Sequence, residues 1–190
     1  TVVRSGCMAK DADMILSEFI LLGIGGKELS EENAAQTAKA LNIIQPDFIR
    51  VHATGIKLES KLGEFVRDGS FTLQSEEEIV IEQKLFLQQL HEMDSYYVNE
   101  HIVNLLLEVR GNLRTEKQEM LSTIDRFLTL PPDERLLFTV GRRLNIFFRL
   151  DDLKKPKLYQ KAGESLQQIL SKNPHVDFAA LCNYVRQSQI

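Results

Sequence analysis

The stretch from Leu16 to Ala35, LSEFILLGIGGKELSEENAA, constrains the fold of this chain more than any other. An apolar run from Glu18 to Leu22 predicts a buried strand, the glycines from Gly23 predict a tight turn, and Ser30 is placed to cap the helix that follows. A strand, a glycine turn and a helix in this order are typical of parallel α/β folds, which bind ligands at the carboxyl ends of strands. We therefore expect a ligand site at this turn, although a tight connection without a ligand would show the same pattern.

Glu28 excludes the two best-known glycine motifs for nucleotides. A dinucleotide-binding motif that begins at Gly23 would need a glycine at position 28, and a phosphate-binding loop would need Ser or Thr there, after Gly26-Lys27. A classical NAD or nucleoside-triphosphate site is therefore not expected at this turn.

Two more apolar segments predict strands that join the first one. DFIRVH, from Asp47 to His52, follows a helix that should end at Gln45-Pro46, and Ser95 to Val98 is a third candidate. A strand, a helix and a strand at this spacing imply a right-handed parallel crossover. Near the N-terminus, the β-branched pair Val2-Val3 favours extended structure.

Capping and proline patterns mark the helices, and from about Ile102 the chain is expected to be almost wholly helical. A short helix carrying Leu58, Leu62, Phe65 and Val66 should end at Asp68-Gly69, and later helix starts are predicted at Ser75 with Glu78, Thr115 with Gln118, Pro131-Pro132, Pro156 and Pro174. We therefore predict a helix-rich α/β protein, with α/β units over residues 1–94 and a helical part over residues 95–190.

Composition narrows the classes of partner. A hydrophobic fraction of 43% in 190 residues is enough for a real core, and the net charge of −4 gives no electrostatic case for binding nucleic acid. No apolar run is long enough to span a membrane, so a cytoplasmic location is the default expectation. Cys7 and Cys182 alone cannot build a disulfide framework or a cysteine-rich zinc site, and no metal ligands are assigned within the chain.

The polar candidates for a site lie at the ends of the predicted strands. His52 ends the second strand, and the densest polar group, Asn99, Glu100, His101 and Asn104, follows the third. His101 and Asn104 are candidates for substrate contact, or else Asn99 merely caps a helix and His101 is an ordinary group near the surface. Arg142-Arg143 could bind an anion, although a solvated face or an ion pair is the more common reason for such a pair.

Three segments together resemble the C-terminal half of radical S-adenosylmethionine (radical SAM) enzymes. They are FILLGIGGKELSEENAAQTAKALN, PDFIRVHATGIKLESKL and NEHIVNLLLEVRGNLRTEKQEML, in this order. The resemblance covers roughly Val2 to Leu150. It is to the broad group of iron–sulfur oxidoreductases that includes coproporphyrinogen-oxidase-like and methylthiotransferase-like members.

The resemblance implies a fold, a chemistry and a set of site residues. The fold would be the C-terminal part of a partial parallel (β/α) barrel, followed by a helical extension. In that family a [4Fe–4S] cluster on a CxxxCxxC loop cleaves SAM to a 5′-deoxyadenosyl radical, which abstracts hydrogen from a substrate. The positions that would contact SAM or shape its site are Ile20, Leu22, Gly23, Gly25, Gly26, Val51 and His52. His101 and Asn104 would lie on the substrate side.

The chain lacks the CxxxCxxC motif, so the resemblance implies that residues upstream of it bind the cluster. It further implies that the chain is truncated or lacks residues near positions 7–17, where relatives have a full barrel helix before the strand at Glu18. This segment would then supply adenosine and substrate contacts, with an electron donor as a partner of the whole enzyme. The alternative is a non-catalytic helical interaction module, residues 95–190, on a truncated scaffold.

Overall fold

The strands and helices confirm the helix-rich α/β class. The structure, a computed structural model, describes residues 1–57 and 59–188. Its strands are β1 Ser17–Leu22, β2 Phe48–Ala53, β3 Tyr96–Val98 and β4 Gly111–Asn112. Its helices are α1 Val2–Asp11, α2 Ser30–Ile44, α3 Lys61–Arg67, α4 Glu76–Gln89, α5 Lys117–Leu128, α6 Pro132–Arg143, α7 Pro156–Lys172 and α8 Phe178–Gln187, with a 3-10 turn at Leu150–Lys154.

The four strands form one sheet in the order β1-β2-β3-β4. The first three are parallel, as predicted, and β4 is antiparallel to β3. Leu21 lies opposite His52, and Phe48 lies opposite Tyr96. Because β1, β2 and β3 run in one direction, their carboxyl ends meet at one edge of the sheet, which is where α/β proteins bind ligands.

The two faces of the sheet differ in their environment. One face is buried against α2 and α4, and its side chains include Ile20, Leu22, Ile49, Val51 and Tyr97. The opposite face, called here the open face, carries the alternate side chains of the same strands. These are Phe19, Leu21, Phe48, Arg50, His52 and Tyr96. Phe19 is 65% exposed and Leu21 is 46% exposed, so no described element covers this face.

The extended structure predicted at the N-terminus is wrong. Val2 and Val3 belong to α1, which packs along α2. Gly6 is buried at this contact, where a Cβ atom would lie 2.8 Å from Ile44 Cγ2. The close approach of the two helices, rather than the strand propensity of a valine pair, determines the conformation here.

The helix predicted from about Ile102 is also wrong, because residues 99–110 form an irregular loop. Its apolar side chains are buried all the same, with Leu106 and Val109 at 1% and 0% exposure. The Asn99 side chain donates a hydrogen bond to the Leu106 carbonyl at 2.6 Å. A side-chain donor therefore satisfies a backbone group that a helix would have paired with a backbone N–H.

Most of the helix boundaries follow the capping and proline patterns. The capping box of Ser75 and Glu78 opens α4, and prolines open α6 and α7, as predicted. The short helix α3 ends at Asp68-Gly69 as predicted, whereas Leu58 lies outside the described residues. Asp177 caps α8, after Pro174.

Two of the predicted caps are absent. Ser30 does not cap α2, because its hydroxyl donates instead to the Glu82 carboxylate at 2.9 Å. The box predicted at Thr115 and Gln118 does not form either, since α5 begins at Lys117 without a side-chain cap.

One hydrophobic core extends across the predicted boundary after residue 94. It contains Ile20 and Val51 from the sheet, Phe138 from α6 and Ala162 from α7. Phe127, Phe138 and Phe147 pack in a row within it, with ring centroids 5.8 Å and 5.9 Å apart. Within residues 1–57 and 59–188, none of the helices has the length and apolar character to cross a membrane.

Two glycines in helices are expected to respond oppositely to replacement by alanine. A Cβ atom on Gly141 would lie 2.6 Å from Phe147 Cε2, whereas one on Gly163 would have no described atom of its surroundings within 4 Å. Gly163→Ala should stabilise the protein by about 0.5–1 kcal/mol, because alanine is the better helix former. Gly141→Ala should destabilise it by about 1–3 kcal/mol through overpacking. Urea unfolding of both variants checks this, and a stabilised Gly141→Ala would contradict the close packing.

Candidate functional site

A cavity of about 380 Å³ lies where the carboxyl ends of β1 and β2 meet the loop after β3. This strand-end cavity is lined by Leu21, Ile24, His52, Ala53, Thr54, Gly55, Ile56, Lys57, Ser60, Leu62, His101 and Val103. Its volume is within the roughly 300–1,000 Å³ typical of small-molecule sites. The cavity borders the open face, because Leu21 and His52 belong to both.

Two histidines that are far apart in the sequence stack at this cavity. The ring centroids of His52 and His101 are 4.1 Å apart and their planes differ by 25°. Phe19 contacts His52 edge-on, with centroids 5.5 Å apart. Burial is the main cause that lowers the pKa of His52, and the nearby His101 and Arg50 lower it further. His52 is therefore neutral at neutral pH.

Two buried polar atoms at the cavity wall have no hydrogen-bond partner among the described residues. They are the Thr54 hydroxyl oxygen and Nδ1 of His101. Thr54 is only 7% exposed. A buried polar group without a partner costs about 1–3 kcal/mol, so such atoms call for a bound ligand or an ordered water.

Asn104 extends the hydrogen bonding of β2 beyond the end of β3. Its side-chain oxygen accepts from the Ala53 N–H, and its amide donates to the Val51 carbonyl, both at 2.7 Å. The amide also donates to Asn99. Asn104 thus takes the place of a strand beside the last residues of β2, with 4% of its surface exposed.

Arg142 and Arg143 of α6 hold the loop that carries His101. Arg142 donates to the carbonyls of Ile102 and Asn104, at 3.0 and 3.2 Å, and Arg143 donates to that of Val103 at 2.9 Å. Arg143 also forms a buried ion pair with Glu76 at 2.6 Å. Burial lowers the pKa of Arg142 to about 10, and Arg143 beside it contributes. Of the two alternatives for this pair, the ion pair is the one observed for Arg143.

The glycine turn is fastened by a buried carboxylate that the sequence-based reasoning missed. Glu82 of α4 is 0% exposed and accepts hydrogen bonds from the Gly23 N–H at 3.1 Å and from Asn33 at 2.7 Å, in addition to Ser30. The Gly23 N–H is therefore bound within the protein. Glu82 follows Ile79 by three residues on the buried stripe of α4, and a carboxylate on such a stripe is the pattern that could have revealed it.

The other glycines shape this turn without lining the cavity. Gly23 and Gly26 have φ angles of 84° and 63°, which favour glycine, and a Cβ atom on Gly25 would lie 2.8 Å from the Leu29 carbonyl oxygen. Lys27 N–H donates to the Thr72 carbonyl at 3.0 Å, so the segment before α4 packs against the turn. Of the glycine turn, Ile24 reaches the cavity wall.

The predicted site residues fall into separate positions. His52 and His101 come together at the cavity, as expected for the ends of neighbouring parallel strands. Ile20, Leu22 and Val51 point to the buried face instead, because strand side chains alternate between faces. The roles predicted for these residues in binding SAM or a substrate stay predictions. The sequence-based reasoning missed the lining side chains Leu21, Ile24, Thr54, Ile56 and Lys57.

Metal binding was assigned to no residue of this chain. Among residues 1–57 and 59–188, no group of three or more His, Cys, Asp or Glu side chains is placed to hold a metal ion. Burial raises the pKa of the Cys182 thiol to about 12, which makes it a poor metal ligand and nucleophile. An iron–sulfur cluster therefore does not fit the described residues.

Comparison with known proteins gives no match. No protein-family model matches the chain, and neither a curated protein nor a solved structure similar to it was found. The geometry of the strand-end cavity is therefore the basis for assigning a function.

Proposed function

We propose that this chain forms part of the catalytic barrel of a radical SAM enzyme and supplies contacts to the adenosine of SAM and to the substrate. The observation that most supports this proposal is the strand-end cavity, which lies beside an uncovered face of a parallel sheet. Parallel sheets are almost always covered on both faces, and they bind ligands at the carboxyl ends of their strands. Further strands that continue the sheet beyond β1 would turn the open face into the interior of a partial barrel.

The exposed side chains of the open face support this arrangement. Phe19, Leu21, Phe48 and Tyr96 lie on neighbouring strands and are between 36% and 65% exposed. An apolar surface of this kind indicates an interface or a ligand site rather than a face in permanent contact with water. β1 is also an edge of the described sheet, where another strand could pair, although the Leu21 carbonyl already accepts from Asn33 at 3.1 Å.

The residues present fit the adenosine part of SAM. The cavity has aliphatic walls from Leu21, Ile24 and Ile56, and the stacked rings of His52 and His101 offer an aromatic surface. Within the proposal, these aliphatic side chains and the backbone at His52 hold the nucleoside and exclude water, while the buried Ile20, Leu22 and Val51 and the glycine turn position them. SAM, together with a reduced [4Fe–4S] cluster held outside this chain, would supply the radical for hydrogen abstraction.

The alternative function, a helical interaction module, has weaker support. Tyr159 and Leu170 of α7 are 42% and 37% exposed, but they are about 16 Å apart along the helix. Tyr184 of α8 is 69% exposed. Apolar side chains that are exposed singly are normal in soluble proteins, whereas those of the open face are contiguous.

A tryptophan at position 21 should block the nucleoside. Leu21→Trp enlarges a side chain that lines the cavity and is already 46% exposed, so the fold should accept it. The test is calorimetric titration of the full-length protein, reconstituted anaerobically with iron and sulfide. This variant should bind SAM and 5′-deoxyadenosine at least about tenfold more weakly, a loss of about 1.4 kcal/mol in binding free energy.

The matched control is Leu170→Trp on α7, which makes the same exchange at a position that is 37% exposed and lies outside the cavity lining and the open face. It should bind both compounds like the unmodified protein. Equal affinities of the two variants would contradict the assignment of the cavity. A full-length protein that binds neither SAM nor 5′-deoxyadenosine would overturn the proposed function.

A further inference from the structure

The strand-end cavity has an unusual balance of charge for an acidic protein. The chain has 27 acidic and 23 basic residues, yet the lining residues that the structure describes include Lys57, His52 and His101 and no carboxylate. Arg50 lies below His52 on the open face, where its guanidinium contacts the rings of Phe19 and Phe48 at 5.9 Å each. This corner of the sheet therefore concentrates cationic groups and bases.

These cationic groups are not neutralised within the described part of the chain. Arg50 donates to the Ser17 hydroxyl at 3.1 Å, but neither Arg50 nor the exposed Lys57 forms an ion pair with a described carboxylate. The nearest acidic residue in sequence to His101 is Glu100, whose carboxylate is engaged by Arg110. Positive charge without a partner beside a cavity attracts an anion.

The remaining walls define the rest of the ligand. Leu21, Ile24, Ile56, Leu62 and Val103 form an apolar lining around the charged corner. The unpartnered Thr54 hydroxyl lies in the same wall and is available as a donor. An apolar pocket with a few convergent polar groups orients a ligand by its polar end.

We propose that the strand-end cavity binds a substrate with an apolar body and one oxyanionic group, a carboxylate or a phosphate, held by Lys57, His52 and Thr54. The inference names the substrate class of the site in the proposed function and depends on that function only for the location of the site. It requires neither SAM nor a cluster to be tested.

Binding of the anion should be coupled to protonation of His52. His101 from the loop after β3 and Arg50 on β2 are the titratable groups that face His52. Phe19 from β1 also contacts it but is uncharged, and Lys57 lines the same cavity. In the free protein, burial and these neighbours oppose the charged imidazolium. A bound oxyanion favours the charged imidazolium and so raises the pKa of His52. Binding therefore takes up a proton and becomes tighter as the pH falls, by at most about tenfold per pH unit for one proton.

The test is a calorimetric titration of the full-length protein with octanoate and, separately, with inorganic phosphate. Measurements at about pH 5.5 and about pH 8 lie on either side of the ordinary histidine pKa of about 6.5. Octanoate, which stays mostly ionised at both pH values, should bind about tenfold more tightly at the lower pH if the site takes a carboxylate, whereas phosphate itself gains a proton between these pH values and is compared between variants at one pH. Lys57→Met should weaken binding at both pH values by about fivefold or more, and His52→Phe should keep the ring contact but abolish most of the pH dependence.

Lys172→Met on α7 is the matched control, because it removes the same charge from an exposed position outside the cavity. Binding of octanoate alone assigns a carboxylate on an apolar body, and binding of phosphate assigns a phosphate. No binding of either anion, octanoate binding that does not depend on pH, or equal affinities of Lys57→Met and Lys172→Met would overturn the inference.

A parallel titration with 5′-deoxyadenosine separates this inference from the proposed function. Anion binding without nucleoside binding would count against the radical SAM proposal and leave the anion site in place. Nucleoside binding without anion binding would overturn the anion site alone.

Discussion

Glu76→Gln is expected to lower the free energy of unfolding by about 3–5 kcal/mol, because it leaves two buried guanidinium groups without their carboxylate. Glu76 is 5% exposed and accepts from Arg143 at 2.9 and 2.6 Å. Arg186 of α8 is 3.5 Å from the same carboxylate. Burial lowers the pKa of Arg186, and Glu76 opposes that shift. Since the three residues come from α4, α6 and α8, the substitution should destabilise the packing of all three helices.

Glu77→Gln is the matched control for this prediction. Glu77 belongs to the same first turn of α4, so both substitutions remove the same favourable charge from the helix N-terminus. Its carboxylate is 45% exposed and pairs with Arg135 at 3.2 Å, so the expected cost is below about 1 kcal/mol. Urea unfolding monitored by circular dichroism measures both variants. Similar losses of stability would show that burial of the Glu76 pair has little energetic weight.

Asn104→Ala is expected to cost about 3–5 kcal/mol, because at least two buried backbone groups lose their partners at about 1–3 kcal/mol each. These groups are the Ala53 N–H and the Val51 carbonyl at the end of β2. Water does not reach them easily, since Asn104 is 4% exposed and Val51 is 1% exposed. The loss should appear as a lower midpoint of chemical unfolding.

The chain provides a close control in Asn42, which also bridges two backbone groups. Its amide donates to the Gln89 carbonyl at 2.9 Å, and its oxygen accepts from the His91 N–H at 2.8 Å, both at exposed positions. Water can replace these bonds, so Asn42→Ala should cost less than about 1 kcal/mol. If Asn104→Ala instead kept full stability but lost ligand affinity, the residue would act mainly on the substrate, as the resemblance implies.

The candidate site depends on supports that lie outside its walls. Glu82 fastens the start of the glycine turn, Asn104 completes the end of β2, and Arg142 and Arg143 hold the loop that carries His101. Each support comes from a different helix or loop. A cavity built this way has a preformed shape, because buried hydrogen bonds fix its walls before any ligand arrives.

The sequence could predict the strands that frame the site, but not the direction of their side chains. The apolar runs located β1, β2 and β3 to within about two residues, because strand formation follows a local hydrophobic pattern. Ile20, Leu22 and Val51 were assigned to ligand contact because they occupy matching positions in the resemblance to radical SAM enzymes. Which of the two alternating faces is covered depends on where α2 and α4 pack, and that is a tertiary choice.

The loop of residues 99–110 shows why the predicted helix failed. A run rich in leucine satisfies the pattern of a buried helix and of a buried loop equally well. The loop is stable because Asn99, Arg142 and Arg143 donate to its carbonyls, which removes the need for internal helical bonds. Arg142 and Arg143 cannot be recognised from the residues of the loop alone, and the partner of Asn99 within the loop cannot be recognised either.

The amino-acid sequence by itself determined the α/β class, the parallel β1–α2–β2 crossover and the capping box of α4, because these depend on local pattern. It also determined that His52 and His101 meet, because neighbouring parallel strands end at the same edge of the sheet. Only the tertiary structure decided which face of the sheet is open, how the glycine turn is fastened and where the cavity lies. The Gly23–Glu82 and Ala53–Asn104 hydrogen bonds join residues 59 and 51 positions apart. Contacts of that range cannot be paired from local pattern, since the backbone N–H groups of Gly23 and Ala53 give no sign of their partner and a buried position of Glu82 does not say which group it binds.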